Sequence, residues 1–165
     1  MRFGSVCSGI EAASVAWHSL GWEAEWLAEV DVSASAVLAH RLGASAPRYP
    51  LEGSEKSLKR IQWGDQIVNW GDMTHLPEAV RTGAAEAPDI LCGGTPCTGF
   101  SVAGLREGLA DPRSQLAISF IHLADAIDEV RTSRGKHPCA IFWENVPGLR
   151  SDSANAFGHF LAGLV

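Results

Sequence analysis

Short apolar runs alternate with longer stretches of helical periodicity along the whole 165-residue sequence. This alternation constrains the fold more than any other feature, because it is the βαβα pattern of a parallel sheet covered by helices. Five runs read as strands: Phe3–Cys7, Glu25–Val30, Gln66–Trp70, Asp89–Cys92 and Cys139–Trp143. Helices are predicted over Ile10–Leu20, Ser33–Leu42, Leu76–Thr82, Arg113–Arg131 and Ala154–Leu164. The fourth is the clearest, since Leu116, Phe120, Leu123, Ile127 and Val130 alternate four- and three-residue steps and share one face. Ser8-Gly9-Ile10-Glu11 has the S-x-x-E form of a capping box and predicts a helix start there, with Gly21 as its stop. Ala44–Gly64 reads as a surface connection holding one helical turn near Glu55–Ile61. The stretch from Gly93 to Asp111 is rich in glycine and lacks periodicity, and loops of that length in a compact domain are usually functional.

The length suffices for one domain with its own core. With 46% hydrophobic and 19% charged residues, the composition is that of a globular chain and excludes intrinsic disorder. No apolar run approaches the roughly 18 residues of a membrane span. The segment Met1–Val6 lacks the apolar core of a signal peptide and reads as a strand. The four cysteines, Cys7, Cys92, Cys97 and Cys139, are therefore expected as reduced thiols in a cytoplasm. Their spacing matches no zinc knuckle and the six histidines are scattered, so no metal is expected. The net charge of −6 counts against a partner bound by neutralising phosphates.

In an open α/β sheet, ligands collect at the carboxyl ends of the strands. This sequence places Cys7-Ser8-Gly9-Ile10 after the first strand, Glu29 and Asp31 after the second, and Asp72 after the third. Pro96-Cys97 follows the fourth and Glu144-Asn145 the fifth. An acid after the second strand can accept hydrogen bonds from both hydroxyls of a ribose, and one after the third from an adenine amine. Glu29 and Asp31 read equally well as solvated acids beside a helix N-terminus. Cys92 and Cys139 lie within apolar runs and read as small buried hydrophobes. Cys97 follows Gly-Gly-Thr-Pro outside such a run, where turn N–H groups could stabilise a nucleophilic thiolate.

Taken together, these residues resemble the DNA (cytosine-5) methyltransferase family over nearly all of the sequence. Ser5-Val6-Cys7-Ser8-Gly9-Ile10 is similar to its first, cofactor-binding motif, Glu29-Val30-Asp31 to the second and Gly71-Asp72-Met73 to the third. Gly93–Ser101 resembles the Pro-Cys motif, Asp111–Leu116 the fifth and Glu144-Asn145-Val146 the sixth. The resemblance implies a three-layer, Rossmann-like fold with a mostly parallel sheet, using S-adenosyl-L-methionine. Its cofactor residues would be Cys7, Ser8, Gly9, Ile10, Glu29, Val30, Asp72, Met73, Pro96 and Leu116. Cys97 would add to carbon 6 of a cytosine flipped out of double-stranded DNA, and Glu144 would hold the ring N3 and amine. Asn145 would order its turn, and Thr98–Ala110 would close over the base.

Four positions depart from the family pattern. Cys7 stands in place of a Phe, Glu11 and Ala12 replace glycines, and Thr98 replaces a Gln. The family also continues past its sixth motif into an Arg-bearing strand motif and a target-recognition region. The expectation is therefore that residues 1–165 form the N-terminal part of one catalytic domain, with the sheet incomplete on its C-terminal side. Activity would need a complementary part or chain, which would also carry the missing basic surface. Two alternatives stay open, a relic that only binds S-adenosylmethionine and a fragment acting on cytosine in transfer RNA; against a third, a dinucleotide-binding oxidoreductase subunit, stand Glu11, Ala12 and the Pro-Cys turn.

Overall fold

A computed structural model describes residues 1–96, 112–151 and 155–165. Five strands are described: β1 (Arg2–Val6), β2 (Glu23–Ala28), β3 (Val68–Asn69), β4 (Ile90–Gly93) and β5 (Ala140–Trp143). They form one sheet in the order β3-β2-β1-β4-β5, and every pairing is parallel. The chain steps outward from β1 to β3, then returns past β1 to build β4 and β5. The order reverses between β1 and β4, and that crevice is where an α/β sheet of this kind binds ligands.

The two-residue period of the strands sorts side chains onto two faces. Val6, Trp26, Ala28 and Leu91 point into one core with Phe120, Leu123 and Ile127 of the long helix α5 (Pro112–Ser133) and with Leu76 and Val80 of α4 (Leu76–Arg81). Phe3, Ile90 and Cys92 face the other way, against Ala13 and Trp17 of α1 (Ala12–Trp17). Leu27 and Leu38 join them through α2 (Val32–Leu42). The result is three layers, with helices on both faces. Gly4 is required by the first core: a Cβ there would lie 2.3 Å from the Trp26 ring, which is 1% exposed. The last helix, α6 (Ala156–Ala162), packs Phe160 on Trp143 at 3.9 Å between ring centroids. None of the described helices is long and apolar enough to cross a membrane.

The element order follows the sequence expectation, with local differences. β3 is shorter than Gln66–Trp70, although isolated bridges at Ile67 and Gly71 continue its line. The turn near residue 55 is α3 (Glu55–Leu58). The expected capping box at Ser8 does not form. The Ser8 hydroxyl donates to Ser5 O, and it accepts from the Ala28 N–H. The helix begins two residues later than expected, at Ala12, with Glu11 as its cap.

Candidate active site

The turn leaving β1 sets the geometry of the site. Cys7, Gly9 and Glu11 all have left-handed backbones, with φ of 49°, 55° and 63°. Only glycine takes this conformation without cost; other residues lose roughly 1–2 kcal/mol each. The turn is held by Glu29 at the end of β2, whose carboxylate accepts from Gly9 N and Asp31 N at 2.7 Å each. Glu29 is buried, so the solvated reading fails for it. That reading fits Asp31, an exposed N-cap of α2 whose side chain accepts from Ala34 N.

Asn69 fixes Glu29 in turn. It is fully buried, and its Oδ1 accepts from Glu29 N at 3.0 Å and Gly71 N at 2.9 Å. Its Nδ2 donates to Glu29 O at 3.2 Å and Ser35 Oγ at 3.3 Å. One amide thus uses its full hydrogen-bonding capacity to join the exits of β2 and β3. Asp72, just past Gly71, caps a 3₁₀ turn through Thr74 N.

A groove of about 500 Å³ runs over these strand ends. It brings together Cys7, Glu29, Val30, Asp72, Met73, Pro96 and Leu116, seven of the residues expected to hold a cofactor. Leu51 and Gln115 also line it. Burial, then Glu29 and Asp72, push the Cys7 thiol up to about 11. Its Sγ lies 4.0 Å from Met73 Sδ.

A second cavity of about 300 Å³ adjoins the first at the β1/β4 crevice, and both are lined by Cys7 and Gly94. Ser5, Ser8, Glu11, Cys92, Phe142 and Glu144 also line it. Gly94 leaves room for the catalytic candidate Glu144: a Cβ on Gly94 would stand 2.7 Å from Glu144 Oε2. Gly9 enters the site through its hydrogen bond to Glu29. Ile10 is 60% exposed and lines neither cavity, facing instead a separate cleft with His18 and Arg41.

The exits of β4 and β5 are clamped through buried Thr95. Trp143 Nε1 donates to Thr95 Oγ1 at 3.1 Å and Asn145 Nδ2 to Thr95 O at 3.0 Å. Asn145 therefore orders the turn that leads to Pro96. Cys97 and the loop Thr98–Ala110 lie outside the described residues. Burial pushes both Cys92 and Cys139 up to about 12, as suits thiols that only pack. Among the described residues, no group of three His, Cys, Asp or Glu could hold a metal ion.

The sequence of motifs along the strand ends is matched by a family model described as C-5 cytosine-specific DNA methylase, over residues 1–164. The chain belongs to the C-5 cytosine-specific DNA methylase family. Its doubly wound parallel sheet is consistent with the Rossmann-like fold expected of such a methylase. Among relatives of this chain, a protein of Escherichia phage P1 named DNA N-6-adenine-methyltransferase is 48% identical over 162 residues, which are 98% of this chain and 19% of that protein. The orphan methyltransferase M.Rho11sI of Bacillus phage rho11s is 30% identical over 90% of this chain and 24% of its own. The type II methyltransferase M.HpaII of Haemophilus parainfluenzae is 36% identical over 58% of this chain and 26% of its own. The chain thus spans about a fifth to a quarter of the length of these relatives.

Three residues of the site were not legible as site residues: Asn69, Thr95 and Glu11. Asn69 is a polar interruption of the apolar run Ile67–Trp70, and that interruption was the available signal. Glu11 is 1% exposed, and its Oε1 caps α1 through Ser14 N at 3.2 Å. Its Oε2 has no hydrogen-bond partner. Burial raises the pKa of Glu11, against the weaker opposing influence of the nearby Ser5 hydroxyl and the Ser14 N–H. A raised native pKa means the folded state holds this proton more tightly than the unfolded chain. The associated stability is complete below the ordinary carboxylate range and is lost as pH rises through the native value. Glycine at position 11 would also relieve the left-handed backbone, by about 1 kcal/mol. Glu11→Gly is therefore expected to melt a few degrees higher than the wild type at neutral pH. The gap should narrow towards pH 4 in thermal melts; a variant that melts lower at neutral pH contradicts this.

Proposed function

We propose that this chain forms the cofactor-binding and base-handling part of an enzyme that methylates carbon 5 of cytosine in double-stranded DNA, with S-adenosylmethionine as donor. The observation that carries the proposal is the charge of the two adjoining cavities. Glu11, Glu29, Asp72 and Glu144 line them, and among the described residues no Lys or Arg does. Such a lining suits a nucleoside joined to a cation, as in a sulfonium, and disfavours the pyrophosphate of a dinucleotide.

In this reading Glu29 and Asp72 hold the ribose and the adenine amine, with Val30, Met73 and Leu116 against the ring. When bound, S-adenosylmethionine supplies an electrophilic methyl group to carbon 5, leaving S-adenosylhomocysteine. The Cys97 thiolate adds to carbon 6 of the flipped cytosine, and electron density moves towards N3. Glu144 accepts from the exocyclic amine and shares a proton with N3, so that N3 is protonated as negative charge develops on the ring. Water in the site takes the carbon 5 proton, and the electron pair it leaves expels the thiolate and restores the cytosine double bond. The clamp on Thr95 holds the Pro96 turn beside Glu144. DNA phosphates are bound elsewhere, on a basic surface that a complementary part or chain would bring.

Titration calorimetry on the purified chain tests the cofactor assignment. S-adenosylmethionine should bind saturably and NAD⁺ should not compete; binding of NAD⁺ at similar concentrations would favour the oxidoreductase reading instead. Gly94→Ala should lower methyl transfer by the reconstituted enzyme about 10- to 100-fold, because the added Cβ displaces the Glu144 carboxylate. Unchanged turnover would remove Glu144 from the mechanism. A second reading, transfer to adenine N6, is favoured by the name of the phage P1 relative. It needs no thiol adduct, so product analysis separates the two.

A further inference from the structure

Glu11 carries two costs at one position. Its backbone is left-handed at φ 63° and ψ 67°, which glycine would take freely. One carboxylate oxygen is also buried without a partner. Capping α1 explains neither, since it uses only Oε1, and serine, threonine or glycine would serve as a cap without burying a second oxygen. Strain and an unsatisfied polar atom that persist together at a strand exit point to a use. Glu11 lines the cavity that adjoins the acid-lined groove. No basic side chain among the described residues lines that cavity to neutralise it.

Resting on the cofactor reading above, we infer that the Glu11 carboxylate receives the α-ammonium group of the methionine half of the cofactor. With the adenosine held between Glu29 and Asp72, the rest of the molecule must leave the groove. The adjoining cavity begins at Cys7 and Gly94, which both spaces share. An ammonium group there supplies the missing hydrogen-bond donor and the compensating charge. Glu11 is then a specificity-determining residue, selecting a ligand with a primary amine over the bare thioether nucleoside. The burial that raises its proton affinity in the free protein is offset by the ligand's charge.

The test is equilibrium binding of two probes to the purified wild-type and Glu11→Gly chains. One probe is S-adenosylhomocysteine, and the other its analogue with hydrogen in place of the α-amino group. Wild type should prefer S-adenosylhomocysteine by about 10-fold or more, the scale of one charge-assisted hydrogen bond. Glu11→Gly should lose that preference while binding the deamino analogue within about twofold of wild type. A preference that survives in Glu11→Gly, or an equal loss for both probes, overturns the inference and leaves the groove assignment standing. If wild type binds neither probe, the groove assignment itself is wrong and this inference goes with it. A melt of Glu11→Gly alongside establishes that the variant is folded.

Discussion

Replacing Cys97 by serine is expected to abolish methyl transfer, by about 10³-fold or more, while S-adenosylmethionine binding stays within about twofold. Carbon 5 of cytosine is a poor nucleophile until a group adds at carbon 6. A thiolate can add and leave again near neutral pH, whereas a serine hydroxyl is almost wholly protonated there. None of the described cysteines can take over. Cys92 and Cys139 are buried and pushed up to about 12, and Cys7 to about 11, so each is almost entirely thiol at pH 7. The expectation for cofactor binding rests on the groove, whose carboxylates Glu29 and Asp72 lie on other strand exits. Radiolabel transfer to duplex DNA by the chain reconstituted with its complementary part measures the first effect, and calorimetry on the purified chain the second. Appreciable turnover by Cys97→Ser would end the covalent mechanism.

Asn69→Leu is expected to destabilise the fold by about 3–5 kcal/mol. Leucine fills a similar volume but leaves the N–H groups of Glu29 and Gly71 without their acceptor. A buried donor left unpaired costs about 1–3 kcal/mol, and two are lost here along with the bonds to Glu29 O and Ser35. Against a typical domain stability of roughly 5–15 kcal/mol, that is a large part of the total. The same change frees the exits of β2 and β3, so S-adenosylmethionine affinity should fall in whatever fraction remains folded. Urea unfolding reads the first effect; a loss below about 1 kcal/mol would mean that water or a neighbour replaces the amide.

Much of this architecture is legible from the sequence because it is local. Apolar runs such as Asp89–Cys92 and the single face of Leu116, Phe120, Leu123 and Ile127 follow from backbone period alone. The acids Glu29 and Asp72 and the residue Pro96 follow from standing just past those runs. What escapes is set by contacts between distant segments. The pairing of Thr95 with Trp143 and Asn145 bridges 48 and 50 residues. Asn69 meets Glu29 across 40 residues. The Ser8 cap fails for a related reason: a hydroxyl with a local pattern for capping is taken by Ala28 on the neighbouring strand. Ile10 shares a motif with Gly9, yet the left-handed turn sends its side chain to the outside. At Glu11 the sequence shows only a departure from a family glycine; that one of its oxygens is buried and unpaired depends on the packing of α1 against the sheet.

The central claim is methylation of cytosine carbon 5 by way of Cys97. Nucleoside mass spectrometry of DNA from cells expressing the gene that encodes this chain tests it most directly, with wild type beside Cys97→Ser. With the complementary part co-expressed in both, the account predicts 5-methylcytosine in the first and none above background in the second. N6-methyladenine appearing equally in both, with no 5-methylcytosine, would contradict it.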